Sequence, residues 1–301
     1  MDSLSYLAQI LTNGLHNGAL YALLAYGYVV TYSVTHRANI AHGAVFAFSG
    51  QMLVLVATIG YSTLWMTLSA AILFGIASSM VLCAIVLIIL ASKILPPFIT
   101  EAPNAMIAAT LAVSIVLMEG ARITADTRDY WLPPLLSWQV TLPIAGLAPT
   151  LTMLQFINIM IIASTIATAQ LILVHTAAGR NLRAVSDDQH AAELLGLNVR
   201  RIRTDAIIAG GALACLAGML AVLYFGNMSF GSGLVYGLKL LFITSAGGFS
   251  SPLRAAIAAF LFGEAESLWD GYLPIVWREP IFYSALALLL CLRTENRLEK
   301  I

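Results

Sequence analysis

Residues 179–203 read Gly-Arg-Asn-Leu-Arg-Ala-Val-Ser-Asp-Asp-Gln-His-Ala-Ala-Glu-Leu-Leu-Gly-Leu-Asn-Val-Arg-Arg-Ile-Arg, a charged stretch set between two apolar runs. The rest of the chain is sparing with charge. Hydrophobic residues make up 60% of the 301 and charged residues 10%, whereas soluble domains carry roughly a quarter charged residues. With a mean hydropathy of +0.88, the composition predicts an all-α, polytopic transmembrane helix bundle. Lys plus Arg and Asp plus Glu are equal at 15 each, so overall charge gives no reason to expect a nucleic-acid partner.

Spanning the hydrocarbon takes about 20 apolar residues in a helix. Outward from the polar stretch, nine candidate runs are found: 7–32, 40–59, 64–91, 104–123, 151–174, 205–223, 234–247, 255–268 and 281–292. The seventh and eighth are short enough to be half-helices or re-entrant, so about 8–9 spans are expected in one membrane domain, 1–301. The opening Met1-Asp2-Ser3-Leu4-Ser5 lacks the basic region of a cleavable signal peptide, and the first span is expected to be retained.

Lys and Arg accumulate on the cytoplasmic side. With an external N-terminus and nine crossings, one side receives Arg37, Lys93, the five arginines of the polar stretch, Arg254, Arg293, Arg297 and Lys300, and the other only Arg122, Arg128 and Arg278. The polar stretch and the C-terminus are therefore expected in the cytoplasm and the N-terminus in the periplasm. The external connection after Thr124 carries Trp131, Trp138, Pro133, Pro134, Pro143 and Pro149, which suits either an interfacial segment with aromatic anchors or a plain lid.

Catalytic chemistry is poorly provided for. A P-loop needs a lysine after a glycine, and Lys93, Lys239 and Lys300 follow none. The five histidines, His16, His36, His42, His175 and His190, lack metal-ligand spacing. Cys83, Cys215 and Cys291 each lie in an apolar run and read as small hydrophobes. No cofactor, metal or catalytic residue is expected, and any ATP energy must come from a partner.

Ionisable groups at membrane depth cost roughly 2.5–3.5 kcal/mol each on insertion scales, which singles out Glu119, Lys239, Glu264 and Glu266. Lys239 is expected to pair with Glu264 or Glu119, or to line the pathway; a buried pair that only fixes helix register is the alternative. In Asn13-Gly14-Leu15-His16-Asn17-Gly18 the amides suggest a helix break at a wet path, while Gly14 and Gly18 suit close helix packing. Gly210, Ala214 and Gly218 read as a second packing stripe. Asn39, which opens Asn39-Ile40-Ala41-His42-Gly43, reads chemically as an N-cap. Gly247-Gly248-Phe249-Ser250-Ser251-Pro252 reads as an interspan turn.

Within the polar stretch, His190-Ala191-Ala192-Glu193-Leu194-Leu195-Gly196 is spaced like the Ala-Ala-x-x-x-Gly element by which membrane subunits of ABC importers dock onto their ATPases. Asn13-Gly14-Leu15 to Tyr21-Ala22-Leu23, Asn39-x-Ala41-His42-Gly43, Gly179-Arg180, Gly237-x-Lys239 and Gly247-Gly248 follow in order. Nearly end to end, the chain resembles the permease subunits of branched-chain amino acid ABC transporters. The resemblance implies an ATPase-coupling segment, 179–203, containing Gly179, Arg180, Ala191, Ala192 and Gly196, with a short helix at about 191–195. It also implies a translocation path, for which Asn13, Asn17, Tyr21, Asn39, His42, Lys239 and Glu264 are the candidates.

Implied partners are two ATP-binding cassette ATPases, a second permease or second copy, a periplasmic binding protein and the lipid bilayer. The implied cargo is branched-chain or other amino acids, amides or urea, carried across a bacterial inner membrane. Three departures from the pattern are His190, where importers often have Glu, Ser250, where the family usually has Gly, and Arg254, where a small residue is usual. A stand-alone ion-coupled carrier using Lys239, Glu119, Glu264 and Glu266 is the rival reading, and it has no need of the docking element.

Overall fold

A computed structural model describes residues 3–99, 103–141, 148–249 and 251–298. Pro143, Ser250 and Lys300 fall outside them. Among the described residues the fold is all-α apart from one two-stranded hairpin. Its helices are α1 (Ser3–Thr35), α2 (Ala41–Ser62), α3 (Leu68–Ile89), α4 (Leu95–Ile99) and α5 (Pro103–Thr124), with a π-helical turn joining α3 to α4. The antiparallel hairpin β1 (Gln139–Thr141) and β2 (Thr150–Thr152) precedes α6 (Met153–His175). Then follow α7 (Ala177–Asp187), α8 (Gln189–Leu194), α9 (Val199–Phe225), α10 (Ser232–Gly247), α11 (Pro252–Tyr272) and α12 (Arg278–Leu298).

Local chemistry sets several of these boundaries. Thr152 and Gln155 form a reciprocal capping box at the start of α6. Asp188 and Asn198 cap α8 and α9 through their side chains. Gly226, at φ 78°, ends α9 in the left-handed conformation that glycine adopts without steric cost.

Among the described residues five helical stretches are long and apolar enough to cross a membrane: Ala41–Ser62, Leu68–Ile99, Asn104–Thr124, Met153–His175 and Val199–Phe225. Helices α10 and α11, bent by 116°, pass that test only together and make up to six. The expected 8–9 spans are therefore approximate. Helix α1 shows why: it lies inside the bundle, where Thr12, His16, Thr31 and Ser33 are buried against protein rather than lipid. The seventh run forms the 16-residue α10, which begins opposite the middle of α2, where Gln51 donates to the Ser229 carbonyl at 2.9 Å. The eighth run lengthens to 21 residues as α11.

The expected break in α1 does not occur; the helix is continuous from Ser3 to Thr35. His16 is fully buried. Its Nε2 meets Asn158 of α6 at 3.1 Å, and Asn158 donates to the Leu220 carbonyl of α9 at 3.1 Å. The polar residues thus fasten three helices together. Gly14 and Gly18 serve packing: a Cβ at Gly14 would strike the Glu264 carboxylate, and one at Gly18 would lie 2.7 Å from the Phe260 carbonyl. Gly210 packs against Gly27 and Thr31, and Gly218 against Phe46 and Ser49, as the second stripe predicts.

Candidate functional site

Two places bring candidate residues together. The first is the polar connection between α6 and α9. Here α7 folds back on the end of α6, because Gly179 offers no Cβ to collide with the Leu173 carbonyl. Arg183 donates to the carbonyl oxygens of Leu173 and Val174, and Arg180 to that of His175. These guanidinium groups satisfy carbonyls that a helix C-terminus leaves without partners.

Asp188 then accepts from the backbone N–H groups of His190 (2.8 Å) and Ala191 (3.0 Å) to start α8. Gly196, at φ 81°, ends it. The observed Gln189–Leu194 agrees with the short helix expected near 191–195. Ala192 is buried in a cluster with Val34, Val185 and Val199, so it seats the helix rather than facing outward. Ala191 is exposed, and Leu194 and Leu195 stand out at 76% and 80% exposure. These two leucines were missed in the sequence, although adjacent leucines in an otherwise charged stretch are the available signal. Gln189 Nε2 donates to the Val34 carbonyl at the end of α1 (2.9 Å), and Arg203 donates to Gln189 Oε1 (2.8 Å).

The second place is a cavity of about 230 Å³ among α1, α2, α9, α10, α11 and the start of α12. Asn17 and Tyr21 line it from α1, with Leu20 and Leu24 beside them, Phe46 from α2 and Phe225 from α9. Its polar wall is Glu266, Asp270 and Arg278. Glu266 and Asp270 are four apart on α11 and so share one helical face. Lys239 sits behind this wall, its Nζ 2.8 Å from Glu266 and 3.0 Å from Glu279. It lies 5.8 and 5.9 Å from the ring centroids of Tyr21 and Tyr236. The Tyr21 hydroxyl donates to Glu266 at 2.7 Å. Arg278 completes the network, pairing with Asp270 at 2.6 Å and with Glu279 at 3.2 Å.

Several expectations are corrected here. Lys239 pairs with neither Glu264 nor Glu119. Glu264 is two residues from Glu266, hence about 200° around α11, and lies against Gly14 with both oxygens buried and unpartnered. Glu119 pairs with Arg122 at 2.6 Å.

His42 is buried, its Nε2 3.2 Å from the Leu24 carbonyl, and belongs to the α1–α2 packing rather than the cavity wall. Asn39 is not the side-chain cap expected of it: Ile40 occupies the cap position, and Asn39 Oδ1 is buried without a partner. Asn13 is exposed on α1, hydrogen-bonded to Gln9 and one turn before Asn17. Gln9 in turn holds the hairpin by two 2.8 Å bonds to the Thr150 backbone.

The family described as "Branched-chain amino acid transport system / permease component" matches residues 10–292. The chain belongs to that family. The high-affinity branched-chain amino acid transport system permease protein LivH of Salmonella typhimurium is 28% identical over 298 residues, covering 95% of this chain and 93% of its own. LivH of Escherichia coli strain K12 is 25% identical over 290 residues, with the same coverage. The permease protein BraD of Pseudomonas aeruginosa is 23% identical over 298 residues, covering 97% and 96%. No solved structure matches. The chain is thus a multi-pass membrane permease component.

Proposed function

We propose that the chain is the permease subunit of an ATP-driven importer of branched-chain or related amino acids in a bacterial inner membrane. The observation that carries this reading is α8. Leu194 and Leu195 are held out at the end of a short helix seated by the buried Ala192, in the connection between α6 and α9. Such a projection suits insertion into a groove on another protein. ATP-binding cassette ATPases are the partners this reading assigns to it, with ATP hydrolysis performed by them. A second permease or second copy completes the path, and a periplasmic protein delivers the cargo.

In this reading the α8 end of the bundle, rich in arginine, faces the cytoplasm. The end carrying the hairpin, Tyr6 and Arg278 faces the periplasm, which places the N-terminus outside and the C-terminus inside. Residues 1–301 act as one transmembrane domain with its coupling segment at 179–203. Closure of the ATPases pushes α8, and the helices rock about the cavity; each state is favoured by its own contacts with partner or cargo.

The test is purification of the tagged chain from its native membrane, with identification of bound proteins and an ATP-hydrolysis assay. ATPase subunits that co-purify with the wild type and are lost from Leu194→Asp/Leu195→Asp support the reading. A chain that purifies alone and moves solute into liposomes under an ion gradient would reject it.

A further inference from the structure

The wall of the 230 Å³ cavity carries fixed charges of both signs. Arg278 supplies a guanidinium, Glu266 and Asp270 supply carboxylates, and the remaining lining is chiefly aliphatic and aromatic. We propose that this cavity is a binding site, within the permease itself, for a small zwitterion with an apolar side chain. Arg278 would take the ligand's carboxylate, the Asp270–Glu266 face its ammonium, and Leu20, Leu24, Phe46 and Phe225 its side chain. The inference rests on the importer reading and deepens it, because it places selection inside the membrane subunit rather than only in a soluble protein.

Three observations support it. The first is charge. Lys239, Arg278, Glu266, Glu279 and Asp270 form one connected network with two cations and three carboxylates. A neutral zwitterion adds no net charge to this network, and each of its ends can face a group of opposite sign.

The second is unused bonding capacity. Arg278, which lines the cavity, donates through Nη1 to Asp270 and through Nη2 to Glu279, and these two bonds leave other N–H groups of the same guanidinium as donors. A carboxylate is the acceptor that its fork geometry matches best. The third is size. Pockets for drug-sized ligands run to roughly 300–1,000 Å³, so this one takes an amino acid and not a peptide. An anion or cation of similar size would satisfy one end of the network and leave the other end repelled.

The test is equilibrium binding of radiolabelled leucine to the purified transporter complex in detergent, without any soluble binding protein, with ATP hydrolysis measured on the same wild-type preparation. Unlabelled leucine should displace the label. 4-Methylpentanoate, which lacks the ammonium, and isopentylamine, which lacks the carboxylate, should each compete at least about tenfold more weakly, the loss expected for one charge-assisted bond. Arg278→Gln should weaken leucine binding by a similar factor, and Arg278→Lys should recover part of it. The competition series uses only wild-type protein, so a misfolded variant does not blunt the test. Hydrolysis with no displaceable binding, or equal competition by the single-charge analogues, would overturn the site. Absence of hydrolysis and of bound ATPases would instead count against the importer reading.

Discussion

Replacing Lys239 with methionine removes the one ammonium that neutralises Glu266. The side chains of Lys239 and Glu266 are 5% and 7% exposed and lie 2.8 Å apart. Without Lys239, Glu266 keeps the Tyr21 hydroxyl at 2.7 Å and the longer-range attraction of Arg278, but a buried carboxylate is left without a directly paired cation. Removing one partner of such a pair costs about 3–5 kcal/mol. The second contact adds little: Glu279 is 37% exposed and retains Arg278 at 3.2 Å, so its loss is worth at most about 1 kcal/mol. Lys239→Met should therefore lower the midpoint of thermal unfolding by roughly 10 °C.

Lys239→Met combined with Glu266→Gln leaves no stranded buried charge. It should recover at least about 1.5 kcal/mol of the loss, a coupling within the range for contacting residues. The assay is fluorescence-detected thermal unfolding of the detergent-purified protein, with uptake measured per folded molecule in the same variants. Strictly additive single and double losses, or a Lys239→Met protein as stable as the wild type, would refute the pairing argument. Loss of uptake in a fully stable Lys239→Met protein would mean that the lysine acts in the path directly rather than by holding Glu266.

Leu194→Asp/Leu195→Asp should abolish recovery of ATPase subunits while leaving the thermal midpoint within about 1–2 °C of wild type, because both side chains are exposed; pull-down and unfolding on one preparation check this. Ala192→Asp should instead destabilise the protein by about 2–4 kcal/mol, since its side chain is buried among valines, and any loss of partners should track the loss of folded protein on size exclusion. Asn158→Leu removes the bonds to His16 and to the Leu220 carbonyl and should cost about 1–3 kcal/mol in thermal unfolding. Gly43→Leu should prevent correct assembly, because a Cβ there meets the backbone of Gly233 and Gly237 in α10; low yield with aggregation on size exclusion is the expected readout.

The helical class was legible because apolar runs of span length have few other uses, and the short helix α8 because its residues are local in sequence. The helix count was harder. A helix surrounded by protein needs no uniform apolarity, so α1 tolerates His16 and Asn17 mid-helix without breaking. The charged cavity was the least legible. Its acids and bases come from α10, α11 and the start of α12, and Arg278 and Asp270 lie beside a connection, where charge is ordinarily left to solvent. Among the intramembrane acids, Glu264 and Glu266 were equally visible. Only the helix azimuth, fixed by Gly14 receiving Glu264, separates the acid packed on Gly14 from the one bonded to Lys239 and Tyr21. The spacing of Glu266 to Asp270 was the available clue, since residues four apart on α11 must share a face.

Helix α8 and the cavity are joined by one continuous helix, α1. At one end of α1 the Val34 carbonyl accepts from Gln189 of α8; near its middle, Asn17 and Tyr21 form the cavity wall. Between Val34 and Tyr21 the helix is unbroken, so a displacement of α8 at Val34 is carried along α1 to Tyr21. Tyr21 bonds Glu266, and Glu266 bonds Lys239. Movement of α1 by even 1 Å lengthens a 2.7 Å bond beyond hydrogen-bond range. The charge network can thus sense the position of α1 through one hydroxyl, and a ligand that stabilises the network favours one position of α1 over another. By the reciprocity of linked equilibria, that ligand and the partner on α8 must then influence each other's binding by the same factor.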